Sequence, residues 1–303
     1  RYRSSAASDV YKRQVYGEIP YDRLDLWRRF CNYYYNCLRD VDRHMMKLIH
    51  SLEDTGQIDN TIIFMISDHG EMLGQQGARG KIVSWEESIR VPTLVYHPDL
   101  KDKKLCNSVI SNIDIVPTLL EFTGLSKSEL RDKHPELKGN SYAELVENVN
   151  YDNVRDKEGH LIHGVQIIPT VFEVAEKFRH TALADGFLAK TKAFMSEGKF
   201  LPDFTPPLNY KGVVDKKHKF LRFFSPRQNN IPTNYDELTK YNAEYQLYDL
   251  ENDPFEMNDL AKDENNRDLL MSMNDKCNTL ADKEIGLENH VIHLPGPDWF
   301  WTA

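Results

Sequence analysis

The stretch TIIFMISDHGEMLGQQGARGKIVSWEESIRVPTLVYH, residues 61–97, decides how the rest of the chain is read. It opens on TIIFMIS at 61–67, a short continuous apolar run rich in β-branched residues, which predicts a buried parallel strand. Asp68 and His69 follow at its end, and GQQGARGK at 74–81 reads as a glycine-containing loop. Ser84 and Glu87 stand at capping-box spacing, which predicts a short helix ending before Pro92, and TLVYH at 93–97 predicts another strand.

Toward the N-terminus, Trp27, Phe30, Tyr34, Cys37, Val41, Met45, Leu48 and Leu52 recur in steps of three and four, the mark of a long amphipathic helix that Gly56 closes. Helix, turn and buried strand in succession indicate a doubly wound α/β layer, whose ligands collect beyond the carboxyl ends of the strands. Toward the C-terminus, Asp114 is placed to cap a helix through VPTLLEFT, closed by Gly124. Beyond about residue 150 the pattern changes. GVVDKKHKFLRFF at 212–224 reads as two strands around a polar turn, YQLYDL at 245–250 as a further strand, and residues 264–282 as a helix through Leu269, Met273 and Leu280. The fold class is therefore α/β: part of a doubly wound mixed sheet flanked by helices over residues 15–150, with a smaller C-terminal subdomain of antiparallel sheet plus helix over 151–303. The opening RYRSSAASDVYKRQ lacks apolar periodicity and resembles a translated adapter, so residues 1–14 are read as a non-native tail. The native N-terminus is then expected upstream, which leaves the compartment open.

The bulk properties exclude several functions. A formal charge of -9 with scattered Lys and Arg provides no stripe for a phosphate backbone, which argues against nucleic acid as a partner. No run approaches the roughly 20 apolar residues that cross a bilayer. The four cysteines form no CxxC pair and are read as reduced, structural thiols.

Residues 67–92 carry the chemistry. Asp68 offers a hard carboxylate oxygen and His69 a ring nitrogen, adjacent at a strand end where both can point into a crevice and hold one side of a metal ion. Gly70, Gly74, Gly77 and Gly80 let the loop approach a ligand, and Lys81 can set its ammonium against an anionic oxygen. Each also has a plain structural reading: a loop cap beside a hydrogen-bonded histidine, and a solvated lysine. Glu86, Glu87 and Arg90 are better read as capping and ion-pairing residues. His160, His163, His180 and His218 show no ligand spacing. Arg222 and Arg227 are read as packing and surface residues before substrate contacts.

The order of SDHGEMLG, Lys81, ESIRVP, NIDIVPTLLEFTG and YQLYDLENDPFEMNDLA resembles the sulfatase family of the alkaline-phosphatase superfamily, with the Asp-His pair closest to its choline-sulfatase, iduronate-sulfatase and phosphonate-monoester-hydrolase branches. The resemblance implies a sulfuric ester hydrolase in which Asp68 and His69 are metal ligands and Lys81 contacts the sulfate. It implies one divalent cation, Ca²⁺ where oxygen ligands dominate and Mn²⁺ where the imidazole weighs more. It also implies a formylglycine nucleophile made from a C/S-x-P-x-R motif. No cysteine or serine here has that context, so the nucleophile is expected in a missing upstream segment and this chain alone is expected to be inactive. The expected partner is a small-molecule or glycan sulfate ester, and oligomeric state is left open. Two alternatives stand beside this reading: a phosphodiester or phosphonate monoester hydrolase on the same scaffold, and a non-catalytic binding module.

Overall fold

The computed structural model describes residues 19–20, 22–81, 83–100, 103–164, 209–224, 231–241 and 244–286. The tail at 1–14, His180 and Arg227 lie outside the described residues.

Helix α1, Leu24–Asp54, carries the apolar stripe read above and ends at Gly56, whose φ of 66° is the left-handed value that favours glycine. Phe30, Tyr34, Met45 and Leu52 on that stripe are half-buried, but Val41 and Leu48 remain 52% and 69% exposed. Strand β1, Ile63–Met65, is shorter than the expected 61–67, and its residues are half-buried. It pairs antiparallel with β2, Leu94–Tyr96, with Phe64 opposite Val95. The parallel reading of TIIFMIS is thus corrected. A continuous apolar run reports what covers a strand, and direction is set by which strand comes to lie beside it.

Between these strands lies helix α2, Glu86–Ile89. Its N-cap is Trp85 with no side-chain cap, so the Ser84–Glu87 capping box is also corrected. The Glu86 N–H donates instead to Glu256 Oε2 at 2.7 Å, a distant acceptor that meets the helix's need for a cap. Helix α3, Ile115–Phe122, starts where expected, but the Asp114 side chain does not cap it. That carboxylate accepts from the Ser111 and Asn140 amides and turns inward to Arg155. Helix α4, Lys127–Lys133, carries a Ser126/Glu129 capping box, and α5, Ala143–Glu147, and α6, Val154–Glu158, complete this region.

The C-terminal part is a four-stranded antiparallel sheet in the order β3 His160–Gly164, β4 Asn209–Val214, β5 His218–Phe224 and β6 Glu244–Asp249. The hairpin in GVVDKKHKFLRFF, the strand in YQLYDL and the terminal helix are all present, the last as α8, Arg267–Glu284. Helix α7, Tyr235–Tyr241, precedes β6. Alternation along the strands gives the sheet two buried faces. One places Val213, Phe220 and Leu247 under Leu270, Met273, Cys277 and Leu280 of α8. The other joins Ile162, Tyr210, Val214 and Leu221, with Ile89 of α2 packed against them. The sheet therefore lies between the terminal helix and the segment that carries the candidate site. Among the described residues all four cysteines are free, and no helix is long and apolar enough to cross a membrane.

Candidate active site

Three residues past β1 the backbone turns sharply around Asp68 and His69. Ser67 Oγ donates to the His69 carbonyl at 2.8 Å, and Asn112 Nδ2 donates to the Ser67 carbonyl at 3.0 Å, which ties the turn to the start of the α3 region. The His69 amide donates to Asp68 Oδ1 at 3.0 Å. His69 Nδ1 lies 2.9 Å from the Gly70 carbonyl, which can only accept. That contact assigns the proton to Nδ1 and leaves Nε2 with its lone pair. Nε2 lies 3.2 Å from Asp68 Oδ2, and Lys81 Nζ makes a close contact with the same ring nitrogen. The structure thus brings Asp68, His69 and Lys81 together.

The Asp68 side chain is 82% exposed and that of His69 37%. Such burial as Asp68 has pushes its carboxyl up, but the hydrogen bond from the His69 amide, with the neighbouring His69 ring and the Lys81 ammonium, outweighs it and holds it below its ordinary value. An anionic oxygen, an imidazole lone pair and an adjacent cation are a donor set that suits one edge of a divalent-metal site. Among the described residues no cluster of three or more His, Cys, Asp or Glu gathers in metal-binding geometry, so this edge consists of two donors.

The loop from Gly70 to Trp85 is held from inside and from behind. Met72, Ala78, Val83 and Trp85 form its own small core. Its base is closed by Met72 N–H to the Gly80 carbonyl at 3.1 Å and by the Gly80 amide to Glu71 Oε1. Gly70 N–H donates to the Ser88 carbonyl at 2.7 Å. A Cβ at Gly70 would lie 2.0 Å from the Glu87 carbonyl oxygen, so only glycine permits this approach of α2 to the site.

Glu86 does ion-pair, as read from sequence: its Oε1 lies 3.1 Å from Lys219 Nζ. Sequence reading missed the partners. Lys219 and Glu256 are fully buried, 2.7 Å apart, and sit against α2. The one local signal for Glu256 was an acid among the turn formers of NDPFEMND, which is too common to single it out. Arg222 lies elsewhere, fully buried under α8 with Nη1 donating to Asn274 Oδ1 at 2.6 Å, which agrees with its reading as a packing residue.

Residues 4–125 match the Sulfatase family model. Choline-sulfatase from Rhizobium meliloti is 32% identical over 127 residues, 41% of this chain and 25% of that protein. Among solved structures, a protein in complex with its substrate D-glucosamine-2-N,6-O-disulfate superposes with a TM-score of 0.55 at 20% identity, covering 83% of this chain and 41% of the other. The phosphonate monoester hydrolase of Agrobacterium radiobacter gives a TM-score of 0.55 at 21% identity, covering 83% and 41%. At such identities these likenesses show a shared α/β fold and nothing finer. The chain spans at most a quarter of the length of the curated relatives it matches.

Proposed function

We propose that this chain, whose residues 4–125 are sulfatase-family sequence, supplies one side of a metal-dependent site that hydrolyses sulfate esters within a longer formylglycine-type enzyme. The observation that carries the reading is the convergence of Asp68 Oδ2, His69 Nε2 and Lys81 Nζ at the end of β1. Asp68 would give a metal one carboxylate oxygen and His69 its Nε2, with Ca²⁺ suited to further oxygen ligands and Mn²⁺ to the imidazole. A divalent cation there would supply Lewis-acid polarisation of the ester's anionic oxygens.

The protein's own residues account for the remainder. The Gly70 carbonyl holds the proton on His69 Nδ1, so Nε2 faces the site as a donor of electrons. Lys81 reaches that edge from the far end of its loop, so its ammonium is placed to pair with a non-bridging sulfate oxygen as charge grows there. The nucleophile belongs to a part of the enzyme outside these 303 residues, because no cysteine or serine among them stands in a C/S-x-P-x-R context. The substrate is a small-molecule or glycan sulfate ester. Similarity to a choline-sulfatase and to a protein solved with a disulfated glucosamine supports that class. A phosphonate monoester hydrolase is the second reading, favoured by the Agrobacterium radiobacter neighbour and by the like shape of the two tetrahedral anions. A binding module is less well supported, since it gives no reason for a carboxylate, a lone pair and a cation to meet.

The test is aryl-sulfate hydrolysis and bound-metal analysis of the 303-residue chain beside the longer enzyme. Turnover by the longer enzyme only is expected. Metal-dependent turnover by the isolated chain, or faster cleavage of a phosphonate monoester than of any sulfate ester, would reject the reading.

A further inference from the structure

Among the described residues, three that are not glycine hold a positive φ: Leu73 at 48°, Gln76 at 51° and Glu256 at 54°. Such conformations cost free energy and persist only where the surroundings enforce them. One of them, Gln76, contacts the two residues that flank another, Glu256. Gln76, in the glycine loop, donates from Nε2 to the Phe255 carbonyl at 2.8 Å and lies 3.3 Å from Met257 Sδ. Between Phe255 and Met257, which are 57% and 49% exposed, Glu256 turns inward and is 1% exposed. Its Oε2 accepts the Glu86 N–H, and its Oε1 lies 2.7 Å from Lys219 Nζ, which also pairs with Glu86. Burial pushes the Glu256 carboxyl up, and the Lys219 charge opposes that push.

From Glu256 a short relay of hydrogen bonds leads to the site. Glu256 fixes the first amide of α2, the Ser88 carbonyl of α2 accepts from Gly70 N–H, and the Gly70 carbonyl accepts from His69 Nδ1. On the other side, Gln76 lies five residues before Lys81 in the same loop. We propose that the Asp253–Met257 turn of the C-terminal part is a clamp, and that Glu256 and Gln76 are positioning residues that hold His69 Nε2 and Lys81 Nζ in register. This assignment rests on the sulfate-ester reading only for what the register is for. The turn lies well over 100 residues from Lys81 in sequence, so the C-terminal sheet acts on the site through α2 and the loop without touching substrate.

Hydrogen exchange on the 303-residue chain tests the clamp, read peptide by peptide for Glu256→Ala, Glu256→Gln and Gln76→Ala. Loss of a hydrogen bond at a charged acceptor predicts that Glu256→Ala speeds exchange across residues 70–81 by about tenfold or more, while β5 and α8 keep their protection. Glu256→Gln retains an oxygen for the Glu86 amide and should recover most of that protection. If Glu256→Ala does not fold, Gln76→Ala decides the matter by the same reading, because it removes a half-buried side chain and no part of the core. Unchanged exchange at 70–81, or a rise spread evenly over the sheet, would overturn the clamp. In the longer enzyme Glu256→Ala and Gln76→Ala should lower kcat for an aryl sulfate with KM held within about twofold, the pattern of lost alignment, and Glu256→Gln should restore most of it. A longer enzyme with no sulfate-ester turnover at all would defeat the proposed function, and the exchange result would still decide the clamp.

Discussion

Arg155 grips Asp114 with a two-pronged contact, Nε to Oδ2 and Nη2 to Oδ1, both at 2.6 Å, with each side chain 1% exposed. The same guanidinium reaches Glu284 at the end of α8 and the Gly159 carbonyl, so one buried cation links the α3 region, α6 and the terminal helix. Removing one partner of a buried pair leaves the other charge without compensation, which costs about 3 to 5 kcal/mol. Arg155→Ala should therefore lower unfolding free energy by roughly that amount in urea melts. A loss below about 1 kcal/mol would mean that the triad is energetically idle.

Gly70→Ala tests the contact behind the site. The added methyl would sit 2.0 Å from the Glu87 carbonyl, and backbone on both sides leaves it no flexible neighbour to displace. Strain of this kind costs about 1 to 3 kcal/mol, relieved by moving His69 away from α2. The expected readout is a fall in stability together with a change in the His69 ring ¹⁵N shifts as the Nδ1 proton loses the Gly70 carbonyl. An unchanged ring signature would show that α2 does not set the imidazole's orientation.

The parts of this structure that could be read from sequence are those fixed by local pattern. Steps of three and four marked α1, alternation with a polar turn marked β4 and β5, and SDHG at the end of an apolar run marked the place where Asp68 and His69 meet. What escaped was every choice of distant partner. Ser84 had the spacing of a cap, yet no side chain caps that helix from its own end and its first amide, that of Glu86, goes to Glu256, 170 residues away. Asp114 had the position of a cap, yet its oxygens serve Arg155 and two loop amides. The direction of β1 depends on β2, which lies beyond the whole loop. Local pattern states that a polar group needs a partner and is silent on which one comes within reach.

His160, at the start of β3, should make the chain acid-sensitive. Burial, aided by the charges of Arg155 and Lys219 and opposed by Glu86, pushes its imidazole down to about 4, and its Nδ1 has no hydrogen-bond partner among the described residues. The folded state therefore disfavours the protonated ring. Its contribution is complete above the unfolded value of about 6.5 and drains away as pH falls from there toward 4, on the order of 3 kcal/mol in all. Urea melts at pH 7 and pH 4.5 for the native chain and His160→Gln would isolate this share. Equal acid sensitivity in both proteins would assign it to other groups.

Asp68 and Lys81 should fail differently in the longer enzyme, because one is proposed to hold the metal and the other to meet the sulfate. Asp68→Ala removes one of the two donors on this edge and leaves His69 Nε2 alone, so metal content and turnover should fall together. Lys81→Ala removes a cation and no donor. It should leave metal content near that of the native enzyme, or raise it, since the ammonium that now contacts His69 Nε2 is gone. Its cost should appear in kcat, at about 2 to 4 kcal/mol if the ammonium behaves as a preorganised group aimed at developing charge. Plasma emission analysis of each purified variant beside its aryl-sulfate kinetics separates the two. Equal metal loss in both variants would make Lys81 part of the metal edge, and undiminished kcat in Lys81→Ala would remove it from the chemistry.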